Sequence, residues 1–212
     1  MMKKIGIMGG TFNPIHCGHL FIAEEVMSDC FLDEIIFVPT GTPPHKNNKE
    51  ILDGKIRYDL VNKAILGNKN FKVSDIEIKR SGYSYSVDTL KELNERYDKT
   101  QFYFILGADA FLYLKKWKNI DKINQYCSFI VVARPGYDKE LLLEESELLN
   151  TKYNINSQII DIDGINISST TIRERIRLGK SIKYLVPKNI IIDILENKLY
   201  GWFYEIYWNR YS

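Results

Sequence analysis

Residues 4–19 read KIGIMGGTFNPIHCGH: a short apolar run that ends in two glycines, then two histidines three positions apart. The run Lys4–Met8 is too short for a helix and dense in isoleucine and methionine, so it predicts a buried strand. A helix is predicted to begin near Gly18. The glycines therefore fall where a strand hands over to a helix. Gly9 and Gly10 carry no Cβ and let backbone approach a ligand closely. The helix start turns unsatisfied N–H groups and a positive dipole end toward the same place. His16 and His19, one helical turn apart, can face the same way, with Gly18 keeping the approach between them open. The stretch suits an anion with several oxygens.

Working outward, the same alternation recurs along the chain. Apolar runs at Glu34–Pro39, Phe71–Ile78, Phe102–Leu106, Phe129–Ala133 and Gln158–Ile162 predict further strands. Most are dense in Ile, Val and Phe rather than alternating, as strands buried on both faces require. Between and after them, helical patterns fall at 18–29, 55–67, 87–97, 108–117, 139–150, 170–178 and 188–199. Asp53, Ser86 and Ser168 or Ser169 stand where N-caps are expected, and Gly179 where a C-terminal cap falls. Strand–helix alternation of this kind predicts an α/β fold: a Rossmann-like, doubly wound parallel sheet in a single domain with C-terminal helices. Ligands then bind beyond the carboxyl ends of the strands, at the switch point.

Composition narrows the class. The chain has 212 residues, 45% hydrophobic and 26% charged, which is ordinary for one well-cored domain. A formal net charge of +2 gives no support for a nucleic-acid or membrane-surface partner. No segment reads as a signal peptide or membrane span. Three widely spaced cysteines, Cys17, Cys30 and Cys127, suit a reduced cytoplasmic protein better than a disulfide framework.

Other readings of the opening stretch fare worse. GGTFNPIHCGH is not GxGxxG, and no Walker GK[ST] follows. Zinc held by His16, Cys17 and His19 would need a fourth ligand, and the spacing fits no common template. Two incidental loop histidines are a weak explanation, because the whole chain holds three. Near the other end, Ile167-Ser168-Ser169-Thr170-Thr171-Ile172-Arg173 places hydroxyls and N–H groups at a helix start, with a forked cation in the first turn. Taken alone, that stretch is more commonly a plain N-cap with solvated arginines.

Together these residues carry a resemblance. His16-Cys17-Gly18-His19 resembles the HxGH signature of the nucleotidyltransferase superfamily, and Gly9-Gly10-Thr11-Phe12 its GG[ST]F opening. Asn13 departs from the Asp usual there. The ISSTTIR stretch is similar to the superfamily's ISSTxIR motif, which implies that Ser168, Ser169, Thr170 and Arg173 hold the β- and γ-phosphates of ATP. Four intervening stretches resemble the bacterial nicotinate-nucleotide adenylyltransferase branch. Pro43-Pro44-His45-Lys46 resembles its PPHK loop, with Lys46 meeting substrate phosphate. Ser84-Tyr85-Ser86-Val87-Asp88-Thr89-Leu90 is similar to its SYTxDTL stretch, with Ser86 at the nicotinate carboxylate. Gly107-Ala108-Asp109-Ala110-Phe111 through Trp117 matches a GxDAF…W pattern, placing Gly107 and Asp109 with ATP, and Trp117 and Lys118 with the acceptor. Val131-Val132-Ala133-Arg134-Pro135-Gly136 resembles a turn beside adenine, which Arg134 would contact. A core role for Trp117 and a stiffened surface loop at 43–46 are the structural alternatives.

The resemblance implies transfer of the adenylyl group of ATP to nicotinate mononucleotide, with His16, His19, Lys46 and Arg173 as the catalytic set. Mg²⁺ is expected to ride on ATP oxygens and water, with no protein metal cage. The alternatives are a related adenylyl- or cytidylyltransferase acting on another phosphate-bearing acceptor, and a non-catalytic nucleotide sensor. The resemblance spans about residues 3–200, and one nucleotidyltransferase domain is expected over residues 1–200. Beyond it, the aromatic tail 201–212 is expected to pack on the domain or a partner chain, which makes a homo-oligomer an expectation too.

Overall fold

The structure, a computed structural model, describes residues 2–43, 50–133, 136–163 and 166–201. Six strands form one parallel sheet: β1 (Lys3–Gly10), β2 (Glu34–Pro39), β3 (Phe71–Val73), β4 (Thr100–Gly107), β5 (Ser128–Ala133) and β6 (Ser157–Asp161). Their order is β3-β2-β1-β4-β5-β6. Ile7 pairs with Ile36 on one side and Phe104 on the other. The order reverses between β1 and β4, so the crevice of a doubly wound sheet opens at the carboxyl ends of those two strands.

The strands are apolar throughout because both faces are covered. Ile35 and Phe37 point into one core, with Ala23 and Val26 of α1 (Cys17–Asp29), Leu60 and Val61 of α2 (Gly54–Ala64), Ile172 and Ile176 of α8 (Ser169–Arg177), and Ile190 and Ile194 of α9 (Lys188–Glu196). Ile36 and Val38 point into the other, with Ile76 of α3 (Ile76–Lys79), Leu90 and Leu93 of α4 (Ser86–Arg96), Phe111 of α5 (Ala108–Leu112), Ile123 of α6 (Ile120–Ile123), and Leu142 and Leu149 of α7 (Lys139–Tyr153). The period of two along β2 thus divides one apolar run between two layers. Among the described residues, no helix is long and apolar enough to cross a membrane.

Local chemistry sets the helix ends. The Asp53 carboxylate accepts from the Lys55 N–H at 2.8 Å, and Ser168 Oγ from the Thr171 N–H at 3.1 Å, capping α2 and α8 as the sequence predicts. Gly179 takes a left-handed φ of 62° after α8, and the Lys180 N–H closes the end onto the Arg175 carbonyl.

Three expectations need correction. The strand expected over Phe71–Ile78 stops at Val73: the Ser74 N–H makes a last bond to the Phe37 carbonyl, and the chain then turns about Asp75 into α3. Adjacent Ile76 and Glu77 are both buried, as a helical turn allows and an alternating strand does not. Ser86 is the first residue of α4 and not its cap; Tyr85 holds the extended cap position, and among the described residues no side chain caps this helix. The helix expected over 108–117 breaks after Leu112 into a 3₁₀ turn, Leu114–Lys116, and leaves Trp117 extended. The short α6, entered from Asn119 in the left-handed region, carries no sequence signal of its own.

Candidate active site

The first loop is shaped by packing before it meets any ligand. A Cβ on Gly9 would lie 3.1 Å from Phe104 Cζ, and one on Gly10 would lie 3.0 Å from Phe12 Cζ, so both glycines admit aromatic rings beneath the loop. Phe12 is 2% exposed and holds φ at 46°, a left-handed value that a bulky residue adopts only when its surroundings enforce it. Its ring meets His19 edge-on, with centroids 5.0 Å apart.

His16 caps α1 from an extended conformation and is buried, with its ring stacked on His19 at 3.6 Å between centroids. The His16 N–H donates to His19 Nδ1 at 3.3 Å. That bond requires an unprotonated Nδ1, so the neutral His19 ring carries its proton on Nε2. His19, and not His16, lines a cavity of about 620 Å³ together with Gly10, Thr11, Phe12, Asn13, Glu50, Ile51, Ser169, Thr170 and Arg173. His16 stands behind His19 and fixes it.

The start of α8 forms the opposite wall. Ser169 Oγ donates to the Pro14 carbonyl at 2.8 Å, and Arg173 Nη1 to the Asn13 carbonyl at 2.9 Å, so the two ends of the chain are pinned to each other. Arg173 Nη2 reaches Thr170 Oγ1 at 3.4 Å and stands 4.0 Å from Glu50 Oε2. Glu50 also pairs with Arg177. Tyr200, buried close by, has its phenol pushed up by burial, with Arg173 and Arg57 acting in the opposite direction. Asn13 is 4% exposed; its amide donates to the Glu50 carbonyl at 2.9 Å and accepts from the Leu52 N–H at 3.1 Å. An aspartate there would keep the second bond and lose the donor of the first.

A second cavity, of about 530 Å³, shares Gly9, Gly10 and Thr11 at one end and runs to Ser84, Tyr85, Ser86, Phe104, Leu106, Ala110, Lys116, Trp117 and Lys118, with Thr40, Pro43 and Glu77 in its wall. Trp117 is half-buried and packs edge-on against Phe104 at 5.7 Å. Lys118 Nζ lies 4.0 Å from the centre of the Tyr85 ring. One cavity thus offers N–H groups, hydroxyls and a guanidinium. The other offers an aromatic slot with two lysines.

Of the predicted residues, Gly10, Thr11, Phe12, His19, Ser169, Thr170 and Arg173 gather in the first cavity, and Ser86, Trp117 and Lys118 in the second. Gly9 lines the second, and Ser168 serves as the α8 cap. Gly107 and Asp109, at the end of β4 and start of α5, are exposed and line neither cavity. Lys46 and Arg134 lie outside the described residues. Sequence reasoning missed Glu50, Glu77, Lys116 and Arg57. Arg57 left a trace: it shares the buried face of α2 with Leu60, Val61 and Ala64, at positions i+3, i+4 and i+7. Among the described residues, no group of three or more His, Cys, Asp or Glu could hold a metal.

A family model described as cytidylyltransferase-like matches residues 7–175, a span that opens in β1 and closes within α8 and so includes both walls of the first cavity. The chain is thus a nucleotidyltransferase of the cytidylyltransferase-like class. Among curated relatives, the "Probable nicotinate-nucleotide adenylyltransferase" of Clostridium novyi (strain NT) is 46% identical over 199 residues, 94% of this chain and 100% of its own. That of Thermoanaerobacter sp. (strain X514) is 44% identical, covering 93% and 94%. The chain belongs to the nicotinate-nucleotide adenylyltransferase family. Its fold matches that of Plasmodium falciparum nicotinic acid mononucleotide adenylyltransferase complexed with NaAD, with a TM-score of 0.77 at 22% identity over 96% of this chain and 100% of that one.

Proposed function

We propose that this chain transfers the adenylyl group of ATP to nicotinate mononucleotide, forming nicotinate adenine dinucleotide and pyrophosphate, in the cytoplasm. The observation that carries this reading is that two chemically different cavities meet at Gly10 and Thr11. A reaction between two phosphates needs such a junction. The names of the relatives, and ligands of the kind named with the Plasmodium structure, support the choice of substrates.

The acceptor phosphate has a second pKa near ~6 and is largely ionised at neutral pH, so no general base is required. One of its oxygens attacks the α-phosphorus in line. The bond to the bridging oxygen breaks, and pyrophosphate departs with the electron pair. The work of the protein is to position two polyanions and to stabilise charge as it spreads over the α-phosphate. His19 donates from Nε2 to an α-phosphate oxygen, and its tautomer is held by the His16 N–H. Arg173, Thr170 and the α8 N-terminus take the β and γ oxygens. Binding there displaces the Glu50 carboxylate from Arg173. Ser86, at the start of α4, and Lys118 meet the nicotinate carboxylate, and Trp117 lies against the pyridine ring. Lys46 draws the acceptor phosphate inward, and Arg134 attends the adenine. Mg²⁺ would be carried on ATP oxygens and water and would share the neutralisation of phosphate charge with Arg173. Pyrophosphate release with ATP and nicotinate mononucleotide tests the reading; release with another phosphate acceptor and not with this one rejects it.

A further inference from the structure

Arg57 is 1% exposed, and among the described residues it has no carboxylate within salt-bridge distance. Among the described residues its guanidinium is satisfied by backbone carbonyls alone: Nε donates to Leu52 at 2.8 Å, Nη1 to Thr11 at 2.8 Å, and Nη2 to Thr40 at 2.7 Å and Gly41 at 3.3 Å. Those carbonyls come from three separate segments: the loop after β1, the loop after β2, and the stretch that enters α2. A buried charge is costly unless it is fully hydrogen-bonded. A methionine would cover the same apolar face of α2 without that cost, so packing alone does not account for an arginine here.

Peptide geometry extends the reach of these bonds. In a trans peptide the carbonyl and the following N–H point in opposite directions. Holding the Thr11 carbonyl therefore turns the Phe12 N–H away from Arg57. Holding the Thr40 carbonyl turns the Gly41 N–H away likewise, and that N–H meets the buried carboxyl of Glu77. Gly41 has no room for a side chain, because a Cβ there would stand 2.2 Å from the Glu77 carbonyl oxygen. Thr11 borders both cavities, while Thr40 and Glu77 wall the acceptor cavity.

We propose that Arg57 is the positioning residue of the whole crevice: its fork fixes the backbone walls of both cavities at once, and its buried charge, with no carboxylate within salt-bridge distance among the described residues, favours phosphate bound nearby. The inference deepens the proposed function and rests on it only for the identity of the acceptor. Arg57→Met removes the fork and the charge, whereas Arg57→Lys keeps the charge and loses the fork. Binding of ATP alone and of nicotinate mononucleotide alone, measured calorimetrically at several salt concentrations on protein shown to unfold cooperatively, separates the two contributions. Both variants are expected to bind both ligands more weakly, by about tenfold or more, as loss of charge-assisted hydrogen bonds predicts. The salt dependence of ATP binding is expected to flatten in Arg57→Met and to persist in Arg57→Lys. If Arg57→Met does not fold, the affinities of Arg57→Lys for the two ligands decide. Wild-type affinity for either ligand in a folded variant overturns the proposal, as does a loss of thermal stability with affinities unchanged. Weakened ATP binding in a chain whose wild type ignores nicotinate mononucleotide leaves Arg57 in its role and rejects the acceptor.

Discussion

His19 and His16 share a stack but divide the labour. His19 faces the cavity, while His16 lies buried behind it and presents a backbone N–H that sets the tautomer. Gly18 belongs to this arrangement, because a Cβ there would stand 3.1 Å from His16 Nδ1. On the proposed mechanism His19 donates to the reacting phosphate, so His19→Ala should lower kcat by about a hundredfold or more, the scale for losing a preorganised donor. Circular dichroism and the unfolding midpoint should stay near the wild-type values, since His19 is only half-buried. Near-normal turnover in that variant removes His19 from the reaction.

At the scale of elements, the start of α8 shows how stability and binding share one structure. Ser168 Oγ caps the helix while Ser169, Thr170 and Arg173 turn toward the cavity. Ser168→Ala should cost about 1 kcal/mol in chemical denaturation, as lost N-caps generally do, and should raise the KM for ATP more than it changes kcat. An unchanged denaturation midpoint contradicts the cap. This helix was legible because its cap, hydroxyls and arginine are consecutive in the chain; β2 was legible because its apolar run is closed by Pro39. The end of β3 was not, since Ile76 and Ile78 prolong its apolar run while the chain is already turning into α3. The HxGH loop could be read locally, but the role of Arg57 could not. Its partners Thr11 and Thr40 lie 46 and 17 positions away, and only the sheet brings them together.

At the scale of the whole molecule, the sheet gathers charge at one edge: a buried cation at Arg57, a buried carboxyl at Glu77 and a guanidinium at Arg173 all attend the β1–β4 crevice. Burial pushes the Glu77 carboxyl above its usual 4.5, against the hydrogen bond from Thr89, the Gly41 N–H and the charge of Arg80. A carboxyl raised on folding contributes stability that is full below its unfolded pKa and is lost as pH rises through the folded one. The stability of the wild type relative to Glu77→Gln should therefore increase as pH is lowered from neutrality toward 4.5. Denaturation midpoints across that range check it, and a difference that stays flat places Glu77 among ordinary carboxylates. On the proposed function, this crevice joins ATP to nicotinate mononucleotide. The most direct measurement follows pyrophosphate and the dinucleotide product when purified protein is given MgATP with nicotinate mononucleotide, its amide, or phosphopantetheine in turn. Rapid release with the acid and formation of nicotinate adenine dinucleotide are expected; equal or faster release with either of the other two contradicts the proposed function.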